Sequence, residues 1–500
     1  MTISRLTSLF LFVALAGLGV WSVLPWGTLD RRYDGITLAL VCLYVLVLLA
    51  VNVLARDYER ALVALVVILN VMWILVRVVA YLLLDPSLKF DDYYYASVGD
   101  INVTLLYLIL GVVVTAFGIR IGSCVWLALP DRNRATQSND VVERPPFKVR
   151  DLLLFGYVVV GFQVVFSYLF RLSLTTIGGI PDWAEWVITL LNLDMTLLWL
   201  FAYAVWYWPA MARRERIHVY VFFAAVIAVY LSKNFLAQLT ILFVIALLSR
   251  HDDPIVSRRM MLGFGLSAAL FVPLYVGGYD IARVEKAEGI AGQRLGLTTT
   301  IEGLKLYVQG DSETAFYANR AAVFQLGARF DDMVLLLNVE PRSEYLGLWY
   351  AVKRTVNVAL PRVRLFPDAR MPQSLLFKVD YDIAPLESAM VFYNSDALPA
   401  LGVYYRYFGG EVGALTALFV TSVAASLCYR KTVSMTGFVA RVLRIYCVYY
   451  FGQVLFGMGV DTAVSMFVYS GVWTGLAMAI ILKAMRLLRH ARASLRMAGA

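Results

Sequence analysis

Residues 35–55 read GITLALVCLYVLVLLAVNVLA, 21 positions without a single charge. A bilayer span needs about 20 mostly apolar residues, so this stretch alone decides the class. Similar runs occupy 6–24, 61–84, 101–121, 151–173, 186–208, 217–232, 235–249, 260–279, 398–429, 438–457 and 463–485. With 35–55 they make twelve. The pair 217–232 and 235–249 is broken only by Lys233-Asn234, which reads as a tight helical hairpin with Lys233 at its tip. Across all 500 residues, 61% are hydrophobic and 16% charged, and the mean hydropathy is +0.72. Soluble domains hold 45–50% apolar and about 25% charged residues. A cytosolic enzyme, a secreted domain and a disordered chain are excluded. The expected fold is an all-α polytopic membrane protein of about 12 transmembrane helices.

Lysine and arginine in the short loops set the orientation. One set of ends carries Arg56 and Arg60, the 132–150 cluster, Arg213, Arg214 and Arg216, Arg250, Arg258 and Arg259, Arg430 and Lys431, and the basic tail. The other short loops hold only Arg31, Arg32, Lys89, Arg171 and Lys233. Both termini are expected in the cytoplasm. The net charge of +9 is then mostly this topology signal plus attraction to anionic lipid, not a nucleic-acid footprint. Cys42, Cys124, Cys428 and Cys447 show neither CxxC nor CxxH spacing, so they support no disulfide framework and no zinc site.

The expected organisation is spans one to nine in 1–279, a large outer loop in 280–397, spans ten to twelve in 398–485 and a basic tail in 486–500. The 117 residues between Asp280 and Leu398 carry thirteen Lys/Arg and fourteen Asp/Glu. Loops of this length are usually functional. Helical spacing recurs at Ile301, Leu304 and Val308, over Glu313–Val339, and over Leu346–Leu360 up to Pro361. The last, rich in Trp, Tyr and aliphatics, looks like a helix lying in the membrane interface.

The outer loop's arginines are the first candidates for chemistry: Arg283, Arg320, Arg329, Arg354, Arg362, Arg364 and Arg370. A guanidinium grips phosphate or carboxylate with two parallel bonds. They can equally pair with the loop's own acids and fix its fold. On an unbroken helix Arg320 and Asp331 lie nearly in phase, with Arg329 opposite. Arg77, Arg171 and Asp194, in or near their spans, demand partners or a wet cavity, and a structural pair of Asp194 with one arginine is the plainer reading. His218, His251 and His490 fall on the cytoplasmic side, and no P-loop, GxSxG or HExxH pattern occurs. No cofactor or metal is expected. An outer base would be a carboxylate or tyrosine, with Asp331, Asp332, Asp380, Asp382, Glu387 and Asp396 available.

Four stretches resemble the bacterial oligosaccharide repeat-unit polymerases, the Wzy-type O-antigen and exopolysaccharide polymerases. Ser232-Lys233-Asn234-Phe235-Leu236 with Leu239–Leu248 is similar to a Ser-Arg tip and aliphatic helix, with lysine replacing arginine. Arg283 matches an arginine just outside a span. Arg320, Arg329, Tyr345-Leu346-Gly347 and Leu360-Pro361-Arg362 resemble the long outer loop with its Pro-Arg element. Leu401-Gly402-Val403-Tyr404-Tyr405-Arg406-Tyr407-Phe408-Gly409-Gly410, with Gly413, is similar to a Gly-Glu-x-Tyr-x-Asn-Phe-Gly element, with valine replacing the glutamate.

The resemblance covers roughly 217–430. It implies an inverting, metal-independent glycosyltransferase in the bacterial inner membrane that joins undecaprenyl-pyrophosphate-linked oligosaccharide units at the periplasmic face. Arg283, Arg329 and Asp331 are its expected catalytic residues. Arg320, Arg362, Lys233 and Arg406 are its expected substrate contacts. Expected partners are the lipid-linked oligosaccharide, membrane lipids and a chain-length regulator of the kind such enzymes often work with. The O-antigen ligase shares the layout but usually relies on an outer-loop histidine. A polysaccharide transporter or flippase would more often show two related halves.

Overall fold

The computed structural model describes residues 3–23, 35–56, 59–75, 78, 97–128, 149–169, 200, 203–204, 207–208, 211–229, 305, 309, 330, 333–338, 346–359, 365–369, 400–434, 443–444 and 447–448, with 472, 476, 479–480, 483–484 and 487. The helices are α1 (Ile3–Val23), α2 (Gly35–Leu54), α3 (Arg60–Asn70), α4 (Val98–Ala128), α5 (Val149–Leu169), α6 (Arg213–Val229), α7 (Gly347–Ala359), α8 (Ala400–Phe408) and α9 (Gly410–Ser434). A π-helical turn, Val71–Leu75, prolongs α3, and a 3-10 turn covers Pro367–Ala369. Among the described residues there is no strand. Helices α2, α4 and α9 are each long and apolar enough to cross a membrane. Their outward faces carry large apolar side chains such as Leu43, Leu46, Leu106, Phe117 and Val420. This is the construction of a helical membrane protein, in which every backbone bond is closed within its own helix.

Two features correct the expected spans. The run 398–429 is not one helix. It breaks at Gly409 and Gly410, with φ of 75° and 87°, and the spanning helix starts at Gly410 and continues to Ser434. Both glycines lie in left-handed backbone, which side chains with a Cβ rarely adopt, so the apolar pattern continues while the axis turns. The run 101–121 extends to a helix of 31 residues, Val98–Ala128. At 1.5 Å per residue that is about 46 Å, well beyond a hydrocarbon core of about 30 Å. Its first turn is fixed by a reciprocal cap. Ser97 donates through N–H and Oγ to Asp100 Oδ2, each at 2.8 Å, and its Oγ accepts from the Asp100 N–H at 3.1 Å. The expected spans 235–249 and 260–279 lie outside the described residues, as do Arg77, Arg171 and Asp194.

Paired contacts fix the directions. Thr37 Oγ1 donates to Asn102 Oδ1 at 2.7 Å near the starts of α2 and α4. Just beyond the end of α2, Glu59 meets Arg120 late in α4 at 3.1 Å. Helices α2 and α4 therefore run parallel. Helix α3 folds back on α2, where Tyr44 OH donates to Asn70 Oδ1 at 2.5 Å. Helix α1 also runs against α2, where Asn52 Nδ2 donates to Ser8 Oγ at 2.9 Å.

Helix α4 packs closely against α9. Gly118 lies against Ser422 and Gly122 against Ser426, so these two helices are parallel as well. A Cβ on Gly122 would sit 2.7 Å from the Val423 carbonyl oxygen, and one on Gly118 2.9 Å from that of Phe419. Backbones this close exploit small residues four apart, the means by which helices associate where lipid supplies no hydrophobic drive. Ser123 and Ser426 hydroxyls share a bond of 2.9 Å, and Ser426 Oγ also donates to the Ile119 carbonyl at 2.9 Å.

Candidate functional site

Pieces of the segment between residues 280 and 410 gather at the Asp100 end of α4. The first comprises Phe330 and residues 333–338. Phe330, Met333 and Val334, at helical spacing, are buried in the main core. At its end, Asn338 Nδ2 donates to Thr104 Oγ1 at 3.0 Å, to the Asp100 carbonyl at 3.4 Å and to its own Val334 carbonyl at 2.8 Å. One amide thus ties the piece to the first turns of a spanning helix.

Helix α8 is the second piece. Its tyrosines and arginine point inward: Tyr404 and Tyr407 are buried, and Arg406 is 1% exposed. A charge so buried must be compensated inside the protein, and Arg406 is held by interactions within the chain. Helix α7, the third piece, lies on α8. The Leu346 N–H donates to the Arg406 carbonyl at 3.3 Å. The Tyr350 and Tyr407 rings are 6.0 Å apart. Leu336, Ala351, Val403 and Tyr407 form a small core of their own between the three pieces.

Asn357 clamps the chain beyond α7. Its Nδ2 donates to the carbonyls of Phe366 at 2.6 Å and Ala369 at 3.1 Å, and its Oδ1 accepts from the Phe366 N–H at 3.0 Å. Lys353 pairs with Asp368, and its ammonium lies 5.9 Å from the ring centres of both Trp349 and Phe366. The hydrogen bond from Lys353 holds the Asp368 carboxyl below its ordinary value of 3.8.

At the opposite end of α4 stands a charge pair that the span reading passed over. Glu59 is buried. Its Oε2 accepts from Arg120 Nη1 at 3.1 Å and from the Arg56 N–H at 3.2 Å. Arg120 sits between Gly118 and Gly122, inside a stretch whose hydropathy hides it. Gly118-x-x-x-Gly122 and Ser422-x-x-x-Ser426 are the signals that could have revealed the α4–α9 contact.

Of the seven expected site residues, the structure describes Arg406. Arg283, Arg329, Asp331, Arg320, Arg362 and Lys233 lie outside the described residues. Arg406 and the half-buried Arg354 put two guanidiniums on adjoining helices at the Asp100 end. Among the described residues no three His, Cys, Asp or Glu side chains form a metal-binding group, and all four cysteines are free thiols. This end thus combines two guanidiniums engaged within the chain, buried tyrosines and an exposed apolar helix face. No family model, no curated protein and no solved structure matches the chain.

Proposed function

We propose that the protein polymerises undecaprenyl-pyrophosphate-linked oligosaccharide repeat units at the outer face of the bacterial inner membrane. The observation that carries the reading is the convergence of 333–338, α7 and α8 on the Asp100 end of α4. These pieces belong to or adjoin two of the four stretches that carry the family resemblance, the outer-loop run and the Leu401–Gly410 element. The parallel packing of α2, α4 and α9 supports the topology on which the reading rests. In a twelve-span chain with both ends cytoplasmic, spans two, four and ten all descend from outside to inside, and the Asp100 end faces out.

In this reading, the growing chain passes from its lipid pyrophosphate to a hydroxyl of the incoming unit. The glycosidic C–O bond to pyrophosphate breaks, a new one forms to the acceptor oxygen, and the acceptor proton leaves. Guanidiniums fixed beside the leaving group stabilise its developing charge. Arg283, Arg329 and Asp331 are the proposed catalytic residues, with Arg320, Arg362 and Lys233 as headgroup contacts. Arg406 is proposed as a further substrate contact; its side chain is buried, so that role requires the headgroup to reach it inside the fold.

The product that accumulates in a deletion strain tests the reading. Loss of the polymerase leaves single lipid-linked units on the outer face. Units retained on the inner face would instead identify a flippase. Complete polymer that stays on its lipid carrier would identify a ligase.

A further inference from the structure

We infer that α7 and the chain returning at 365–369 form one composite paddle that inserts its apolar face into the headgroup region of the bilayer. The inference rests on the membrane reading alone and holds whichever reaction the protein performs. On α7, Leu348 is 64% exposed, Trp349 62% and Val352 39%, while Ala351 and Asn357 on the opposite side are buried. Leu365, 53% exposed, adds a fourth apolar group from outside the helix. The chain at Leu365 is held beside α7, since Asn357 engages both the N–H and the carbonyl of the adjacent Phe366, and Trp349 and Phe366 meet edge to face at 6.3 Å. A helix wheel alone cannot show this second edge.

The occupant follows from where the paddle is fastened. Its first turn bonds to Arg406, four residues before the spanning helix α9 begins at Gly410. Val412, in the first turn of α9, is 79% exposed and starts that helix's lipid-facing surface. The end of a spanning helix fixes the height of the headgroups, so a patch fastened there continues the lipid-facing belt. The flank chemistry agrees. Trp favours the interface, and the Lys353 ammonium, 5.9 Å from the centres of the Trp349 and Phe366 rings, is paired to the exposed Asp368. Trp349 has the exposed apolar Leu348 and Val352 beside it on the helix and the Lys353–Asp368 pair at its other edge, the polar–apolar boundary at which an interfacial tryptophan sits.

The test is collisional depth measurement on the full chain in nanodiscs of phosphatidylcholine and phosphatidylglycerol. Cys42, Cys124, Cys428 and Cys447 are replaced by serine, and a nitroxide is attached in turn to Leu348→Cys, Val352→Cys and Leu365→Cys. The expected result is oxygen accessibility exceeding that of a nickel chelate several-fold at all three. Adding Asn357→Ala should remove that signature at 365 and keep it at 348. Nickel exceeding oxygen would put the face in water, and low values for both would mean a protein covers it; either overturns the inference. Should the serine variant fail to fold, the otherwise native chain serves. The tryptophan emission lost on Trp349→Phe should be quenched by brominated lipid and spared by iodide, and the reverse pattern refutes the paddle.

Discussion

Gly122→Ala is the most direct probe of the helix contact on which the described fold turns. In most helices this change is favourable, since alanine loses less backbone freedom, by roughly 0.5–1 kcal/mol. Here the added methyl meets the Val423 carbonyl oxygen at 2.7 Å and the Ser426 Cβ at 2.8 Å. The first of these is backbone and cannot rotate away, so α4 and α9 must separate. Separation weakens the Ser123–Ser426 bond and the bond from Ser426 to the Ile119 carbonyl. Overpacking costs about 1–3 kcal/mol and each of the two interhelical hydrogen bonds about 0.6 kcal/mol, so after the gain from alanine the expected destabilisation is ~1–4 kcal/mol. Gly17→Ala is the matched control, because nothing lies within 4 Å of its Cβ position. Melting of the purified protein in detergent, followed by a fluorescent fusion, should show Gly122→Ala clearly below wild type and Gly17→Ala at or above it. Wild-type melting of Gly122→Ala would refute the parallel α4–α9 contact.

Arg120→Met should destabilise by about 1–3 kcal/mol, because it strands the buried Glu59 carboxylate, and adding Glu59→Gln should restore part of the loss in the same melting assay. Arg283→Ala and Arg329→Ala should each lower repeat-unit elongation about 10²–10³-fold at normal expression, by analogy with a lost oxyanion donor, with lysine a poor substitute for a bidentate contact; normal polymer in both variants removes them from the site. Purified protein given lipid-linked units should elongate them in EDTA, and activity that is lost and then regained with magnesium or manganese would refute the metal-independent reading. Asp368 titrates low because Lys353 donates to it. Its folded value is depressed, so the pair's contribution is present above the ordinary carboxylate range and is lost as pH falls through the lower folded value. Carboxyl-resolved NMR titration should show that midpoint return to the ordinary range in Lys353→Met.

What the sequence determined by itself is the part of the fold that depends on one residue at a time. Stretches such as 35–55 must leave water wherever they end up in space, so class and most described helices are legible from hydropathy. The helix over 346–360 is too, because a 3.6-residue period survives without knowing the neighbours. The reading failed where two segments had to be known together. Gly409 and Gly410 sit in an unbroken apolar run, and only the packing of α8 under α7 shows why the axis turns there. Arg120 is one charge among apolar residues until Glu59, 61 positions away, comes within reach. Asn338 and Asn357 are ordinary loop amides in sequence. Each holds two chain segments together because the fold brings polar groups of a second segment within reach of its amide, Thr104 Oγ1 and the Asp100 carbonyl for Asn338, and the Phe366 and Ala369 backbone for Asn357. That Arg406 is buried is likewise invisible in sequence, since arginine seldom lies buried. Hydropathy is a local sum, whereas these partners are set by which helices lie side by side.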